Sequence, residues 1–235
     1  MRWLRRIAIV LLAAIAIVVG STPFLYPALA AAVCPSCYDM ERIAPGVVVS
    51  RDMDAERRLD VMRDVEASRE IARAWFRRPE AWATVLACAT EACDRRLGGR
   101  GARATTYGTF LGTVIRVSPR GLGRTILTHE FAHVAFHRHI GLFAQITGGV
   151  PAWFDEGLAV IVSGDERYLW PDGRAKNCDA PDPRPLPASP FEWASRAGRE
   201  QDLYARAACR TDAWLAANGG REGLLAALAV GKRVP

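Results

Sequence analysis

"GRTILTHEFAHVAFHRHIG", residues 123–141, contains all four histidines of this 235-residue chain. Apolar residues recur on more than one side of it and Gly141 is a common residue at a helix C-cap, so the stretch predicts a buried helix. His129 and His133 are four residues apart, which places both imidazoles on one face of this helix, one turn from each other. Such a pair can bind a single metal ion.

Glu130 follows the first of these histidines and completes the pattern H-E-x-x-H. In this pattern the imidazoles bind zinc, and the carboxylate takes a proton from a water whose pKa the metal lowers toward about 7. The sequence therefore predicts Zn2+ bound by His129 and His133, with Glu130 as the general base. The alternative is a helix with incidental polar residues facing solvent, but Phe131 and Val134 make the segment too apolar for a solvated face.

A catalytic zinc site needs a third protein ligand, and three residues are candidates. His137 lies about 12 Å along the helix axis from the first histidine, too far to share its ion. His139 has the spacing of the third histidine in the metzincin pattern, but Phe136 stands where that pattern has glycine. Glu156 lies on the next predicted helix, which can return a carboxylate to the metal. We expect Glu156 to be the ligand, with His139 as the narrower alternative.

Three segments of the chain carry a family resemblance. "THEFAHV" (128–134), "PAWFDEGLA" (151–159) and "YARAACRTDAWLAANGGREGLLAALAV" (204–230) together resemble the peptidase MA-like group of gluzincin metallopeptidases. The resemblance covers roughly residues 110–230. In that group a P-x-W-x-x-E-G-x-A segment supplies the glutamate ligand, and a closing helix pair follows.

The resemblance implies a function and a set of site residues. It implies an exported zinc metallopeptidase, a hydrolase that cleaves a peptide or protein substrate. Zinc would be bound by His129, His133 and Glu156, and Glu130 would be the general base and acid. The donor to the oxyanion stays open between Tyr168, Tyr204, His137 and His139. The alternative function is a catalytically inactive, zinc-stabilised binding or scaffold domain of the cell envelope.

The remaining elements predict an α+β fold. We expect an amphipathic helix over 54–77, strands within 81–89 and 109–119, a helix over 151–164, and closing helices near 200–217 and 221–230. A proline-rich loop covers 171–190. A small mixed or antiparallel sheet would thus precede the zinc-binding helix pair and the C-terminal helices. "GTVIRV" (112–117) resembles the edge strand on which gluzincins hold a substrate, and an ordinary sheet strand is the alternative.

Residues 1–33 differ from the rest of the chain. Three arginines precede an uncharged, mainly apolar run, which is typical of a secretory signal peptide or of a membrane anchor. Ala28-Leu29-Ala30 and Ala30-Ala31-Ala32 are candidate cleavage sites, and both interpretations stay open. In either case residues 34–235 form the metallopeptidase domain, in the periplasm or on the extracytoplasmic face of the inner membrane.

Cysteine and charge add two predictions. All six cysteines follow the apolar run, which indicates an oxidising compartment. We expect the pairs Cys34–Cys37, Cys88–Cys93 and Cys178–Cys209, with "CPSC" a structural bridge rather than a redox motif. The net charge is +6, of which residues 1–33 carry half, so the remainder is too weakly basic to predict a nucleic-acid partner. The oligomeric state is unknown from sequence.

Overall fold

The computed structural model of the protein describes residues 24–77, 82–109, 112–146, 149–176, 178, 184–232 and 234–235, with residues 3, 5–7 and 9. The fold is mixed α/β, with a five-stranded sheet in the described part of the chain and helices on both faces of that sheet. This agrees with the predicted combination of a small mixed sheet and following helices.

The sheet has parallel strands at its centre and antiparallel strands at its edges. Its strands are β1 Met40–Ala44, β2 Val47–Ser50, β3 Thr84–Ala87, β4 Ala104–Thr109 and β5 Gly112–Val117, in the order β1-β2-β3-β5-β4. β2, β3 and β5 are parallel, whereas β1 pairs antiparallel with β2 and β4 with β5. The fully buried sequence Val-Val-Val-Ser of β2 is typical of a strand covered on both faces.

Only β3 and β5 were predicted from sequence. β5 pairs with β3 on one side and with β4 on the other, so the edge-strand interpretation of 112–117 is wrong and that of an ordinary sheet strand is correct. The edge belongs to β4, which follows a glycine-rich passage and lacks an alternating apolar pattern. Its register with β5 is regular from Ala104 to Thr109, so pairing rather than propensity defines it.

The helices include the five predicted ones. They are α1 Pro27–Val33, α2 Ala55–Phe76, α3 Glu91–Arg96, α4 Arg124–Ile146, α5 Ala152–Ser163, α6 Pro190–Ala197, α7 Leu203–Ala217 and α8 Gly220–Ala229. The range of α4 joins two helices across a kink at Gly141, whose φ of 75° and ψ of 161° are not helical, so the first of them ends at the predicted glycine. α6 was not predicted; the Ser189 hydroxyl caps it by accepting from the Glu192 N–H, and Pro190 is its first residue.

Two hydrophobic cores lie on opposite faces of the sheet. On the inner face, Val49, Val85 and Ile115 pack with α2, α4 and α5 in the larger core. On the outer face, Leu86 and Val114 pack with α1 and α3 in a smaller one. Because successive strand residues point to opposite faces, neighbouring residues such as Val85 and Leu86 belong to different cores.

The three disulfide bonds connect the predicted pairs, Cys34–Cys37, Cys88–Cys93 and Cys178–Cys209. The first closes a single 3₁₀ turn at Pro35–Tyr38, as expected for a structural bridge, and the last joins the loop at 178 to α7. In the described part of the chain, no helix has both the length and the hydrophobicity needed to cross a bilayer. Most of the apolar run predicted as a signal or anchor lies outside the described residues.

Candidate metal centre

α4 carries the first part of the centre. His129, Glu130 and His133 are all buried, with 7–8% of each residue exposed. The imidazole rings of the two histidines lie on the same side of the helix, and their Nε2 atoms are 3.2 Å apart. Spacing on a helix predicted this convergence, and the structure brings the two nitrogens together.

α5 brings Glu156 to the same point. Its Oε2 lies 3.2 Å from Nε2 of His129 and 3.8 Å from Nε2 of His133. Ligand atoms that share one tetrahedral zinc at 2.0–2.2 Å lie roughly 3.4 Å from each other. The three atoms therefore have the spacing of zinc ligands, and two histidines with one glutamate are a donor set of catalytic zinc sites, with one coordination position left for solvent.

Gly157 allows α5 to take this position. Its Cα faces the backbone of α7, and a Cβ there would overlap the Ala207 carbonyl oxygen and the Thr211 hydroxyl. Only glycine permits this close approach of the two helices. The contact places Glu156, the preceding residue, between α4 and α7.

Asp155 holds two histidines of α4. Nδ1 of His133 lies 2.8 Å from Oδ1 of Asp155, and Nε2 of His137 lies 2.6 Å from Oδ2. An ionised carboxylate only accepts hydrogen bonds, so Nδ1 of His133 carries a proton and its Nε2 is turned toward Glu156. Asp155 therefore supports the two rings by accepting hydrogen bonds from them.

The charges of this cluster act on one another. Burial alone would lower the pKa of His133, but Asp155, Glu156 and Glu130 outweigh it and raise that pKa to about 10. Burial would likewise raise the pKa of Asp155, yet His137 and His133 hold it far below its usual range. The carboxylates thus create an environment that favours positive charge.

His137 and His139, the two other histidines of α4, are both half-buried. Nε2 of His139 lies 3.3 Å from the Phe76 carbonyl oxygen at the end of α2. In the described part of the chain, Glu156 but not His139 joins the candidate ligand groups. The geometry therefore favours Glu156 over the metzincin-like alternative.

Glu130 is held by a strand that sequence reasoning missed. The Thr106 hydroxyl of β4 donates to Oε2 of Glu130 over 2.7 Å. The charge of Glu130 also raises the pKa of both His133 and Tyr204, so this carboxylate lies beside the ligand cluster. Thr106 could be found only after β4 and its register were known.

Tyr204 of α7 is the tyrosine adjacent to the ligands. Its ring centroid lies 6.1 Å from that of His129, and the ring is enclosed by Trp193 of α6 and a stacked Tyr168 at 5.5 Å. The Glu156 carboxylate, then burial, raise the pKa of Tyr204 well above its usual value, so its hydroxyl stays protonated. A protonated phenol can donate a hydrogen bond into the centre.

Comparison of the chain with family models, with curated proteins and with solved structures gives no match.

Proposed function

We propose that the protein is a zinc-dependent peptidase of the gluzincin type. The observation that carries the proposal is the mutual spacing of 3.2, 3.2 and 3.8 Å between the ligand atoms of His129, His133 and Glu156. The donor set fits Zn2+, because two imidazole nitrogens and one carboxylate oxygen meet at a buried point beside Glu130.

Each neighbouring residue has a role in peptide hydrolysis. Bound zinc would supply a Lewis acid that polarises the carbonyl and acidifies water. Glu130, oriented by Thr106, takes a proton from the attacking water and passes it to the leaving amine. Tyr204 donates its hydroxyl proton in a hydrogen bond to the developing oxyanion. Asp155 keeps the His133 ring in the orientation that the ligand role requires.

An extended peptide fits the position of β4. This strand pairs with β5 on one side and stands at the end of the described sheet, and its Thr106 reaches the general base. A substrate strand added to that edge would run past Glu130 with its backbone carbonyls beside the ligands. The edge of β4 therefore favours a peptide or protein substrate over a small molecule.

Location outside the cytoplasm is part of the proposal. The six cysteines form three disulfides, and disulfides persist mainly in oxidising compartments. A periplasmic or surface-exposed position suits this chemistry.

The test compares wild type with Glu130→Gln on a diverse peptide library, with and without a chelator. We expect wild type to cleave and the variant to lose hydrolysis by a factor of roughly 10³ or more while it still binds one zinc per chain. A variant that cleaves as well as wild type would exclude this mechanism. Stoichiometric zinc without any hydrolysis by wild type would instead favour the scaffold function.

A further inference from the structure

α1 belongs to the outer core of the folded domain. Ala28 and Ala31 are 1% and 0% exposed and pack with Met40, Leu86 and Val114. Small side chains at these positions let the helix lie close to the sheet. α1 is therefore a structural element of the domain, although it precedes the domain boundary predicted at residue 34.

Further contacts fix α1 at both ends. Pro27 packs so closely on Gly98 that a Cβ added to this glycine would lie 3.1 Å from the proline ring. At the other end, the Arg42 guanidinium donates to the Ala32 carbonyl over 3.3 Å. The Cys34–Cys37 bridge follows directly. The position of α1 is thus defined by the domain rather than by the chain that precedes it.

Cleavage at either predicted signal-peptidase site would divide α1. Cutting after Ala30 removes Ala28 from the outer core, and cutting after Ala32 removes Ala31 as well. Leu86 and Val48, both 0% exposed, would lose part of their cover. Exposing such apolar surface to water is unfavourable, so the fold argues against processing at these sites.

We infer that α1 stays joined to the preceding apolar run and holds the domain directly against a lipid bilayer. Residues 7–26 are uncharged and mainly apolar and follow three arginines, and a mainly apolar segment of about 20 residues is long enough to enter a membrane. Phe24 and Tyr26, 86% and 54% exposed, stand immediately before α1, where aromatic side chains suit the membrane–water interface.

This arrangement restricts the substrate of the proposed peptidase. α1 packs on the outer face of the sheet, whereas α4 packs on the inner face, so the sheet separates the bilayer contact from His129 and His133. This step rests on the proposed function. It predicts that substrates reach the centre from the aqueous side as chains outside the lipid.

The experiment uses the full chain with a C-terminal tag in a bacterial host. Mass spectrometry of the mature protein should find α1 and the apolar run intact, and the protein should stay in the membrane fraction after a carbonate wash. A chain that begins at residue 31 or 33, or a protein released into the soluble fraction, would overturn the inference.

Two substitutions test the packing separately. Ala31→Glu buries a charge and should lower the melting temperature of the detergent-solubilised chain by roughly 5–10 °C. Val33→Glu, at a position 86% exposed, should leave it unchanged. If Ala31→Glu does not accumulate, the milder Ala31→Ser provides the comparison. Equal melting temperatures for the substitutions at 31 and 33 would refute the packing role. Neither readout depends on zinc or on hydrolysis, so failure here is distinct from failure of the proposed function.

Discussion

A buried polar cluster lies on each face of the sheet, and the two clusters differ in their charge balance. On the outer face, Arg116 of β5 pairs with Asp94 of α3, and both side chains are 2% exposed. One guanidinium meets one carboxylate, so the charges cancel. On the inner face, burial would lower the pKa of His133, but three carboxylates, Asp155, Glu156 and Glu130, raise it to about 10, and these acidic groups outnumber the one imidazolium that they favour.

The difference separates a cluster whose charges are balanced within the chain from a candidate cation site. Buried charge is costly unless it is compensated. The outer pair is compensated within the chain, with Thr105 accepting a further hydrogen bond from Arg116. The inner cluster has an excess of negative charge, which a divalent metal would balance. Removing a residue from the outer pair should therefore change folding, and removing one from the inner cluster should change metal binding.

The largest expected effect is the loss of metal binding in Glu156→Ala. Removing one of three ligands should weaken Zn2+ affinity on the order of 1000-fold or more. Loss of a hydrogen bond to a ligand, by comparison, weakens metal affinity by roughly 10–100-fold. Competition with a fluorescent chelator measures it. His139→Ala is the matched control and should bind zinc like wild type. If His139→Ala loses zinc and Glu156→Ala keeps it, the metzincin-like alternative is correct.

Asp94→Ala should have the next largest effect, and on stability alone. It leaves the Arg116 charge buried without its partner, which costs about 3–5 kcal/mol of unfolding free energy. Glu41→Ala breaks an exposed pair with Arg58 and should cost about 1 kcal/mol or less. Urea unfolding compares the two. Reduced zinc stoichiometry in folded Asp94→Ala would mean that the two clusters are not independent.

Tyr204→Phe tests whether the tyrosine hydroxyl beside the inner cluster takes part in the proposed hydrolysis. If its hydroxyl donates to the oxyanion, kcat should fall by about 10²–10³ while zinc content stays at one per chain. Tyr168→Phe removes the hydroxyl of the ring stacked on Tyr204 and should change kcat only a few-fold. Similar losses in both variants would point to packing rather than hydrogen bonding as the cause.

Asp155→Asn should have the smallest effect. The amide keeps the size of the side chain but weakens its hold on Nδ1 of His133, so zinc affinity should fall by roughly 10–100-fold. Isothermal titration of the metal-free protein measures this change. Unaltered affinity would show that the His133 ring is positioned by packing alone.

Sequence patterns predicted those elements whose residue spacing and hydrophobicity are visible in a short stretch of the chain. The four-residue spacing of His129 and His133 and the position of Glu156 on the next helix are read from local sequence, so the meeting of these three side chains could be anticipated. β4 and α6 could not, because β4 is defined by pairing with β5 and α6 follows a proline-rich loop that masks its start. Thr106 and Trp193 were missed with them, since their roles exist only after the chain has folded.

The packing of residues 27–33 could not be predicted for a related reason. The sequence of residues 27–33 is uncharged and mainly apolar like the run before it, and composition assigns both to one targeting segment. Burial of Ala28 and Ala31 against the sheet separates them. Composition alone does not distinguish an alanine that faces lipid from one that faces a protein core.

The contact at Gly157 limits how this scaffold can diversify. Because no side chain fits between α5 and α7 there, a larger residue at 157 would push α5, and with it Glu156, away from α7. New substrate preferences of the proposed peptidase would have to arise from exposed side chains such as Trp170, because its neighbours Leu169 and Ala175 are themselves buried against α5 and α7.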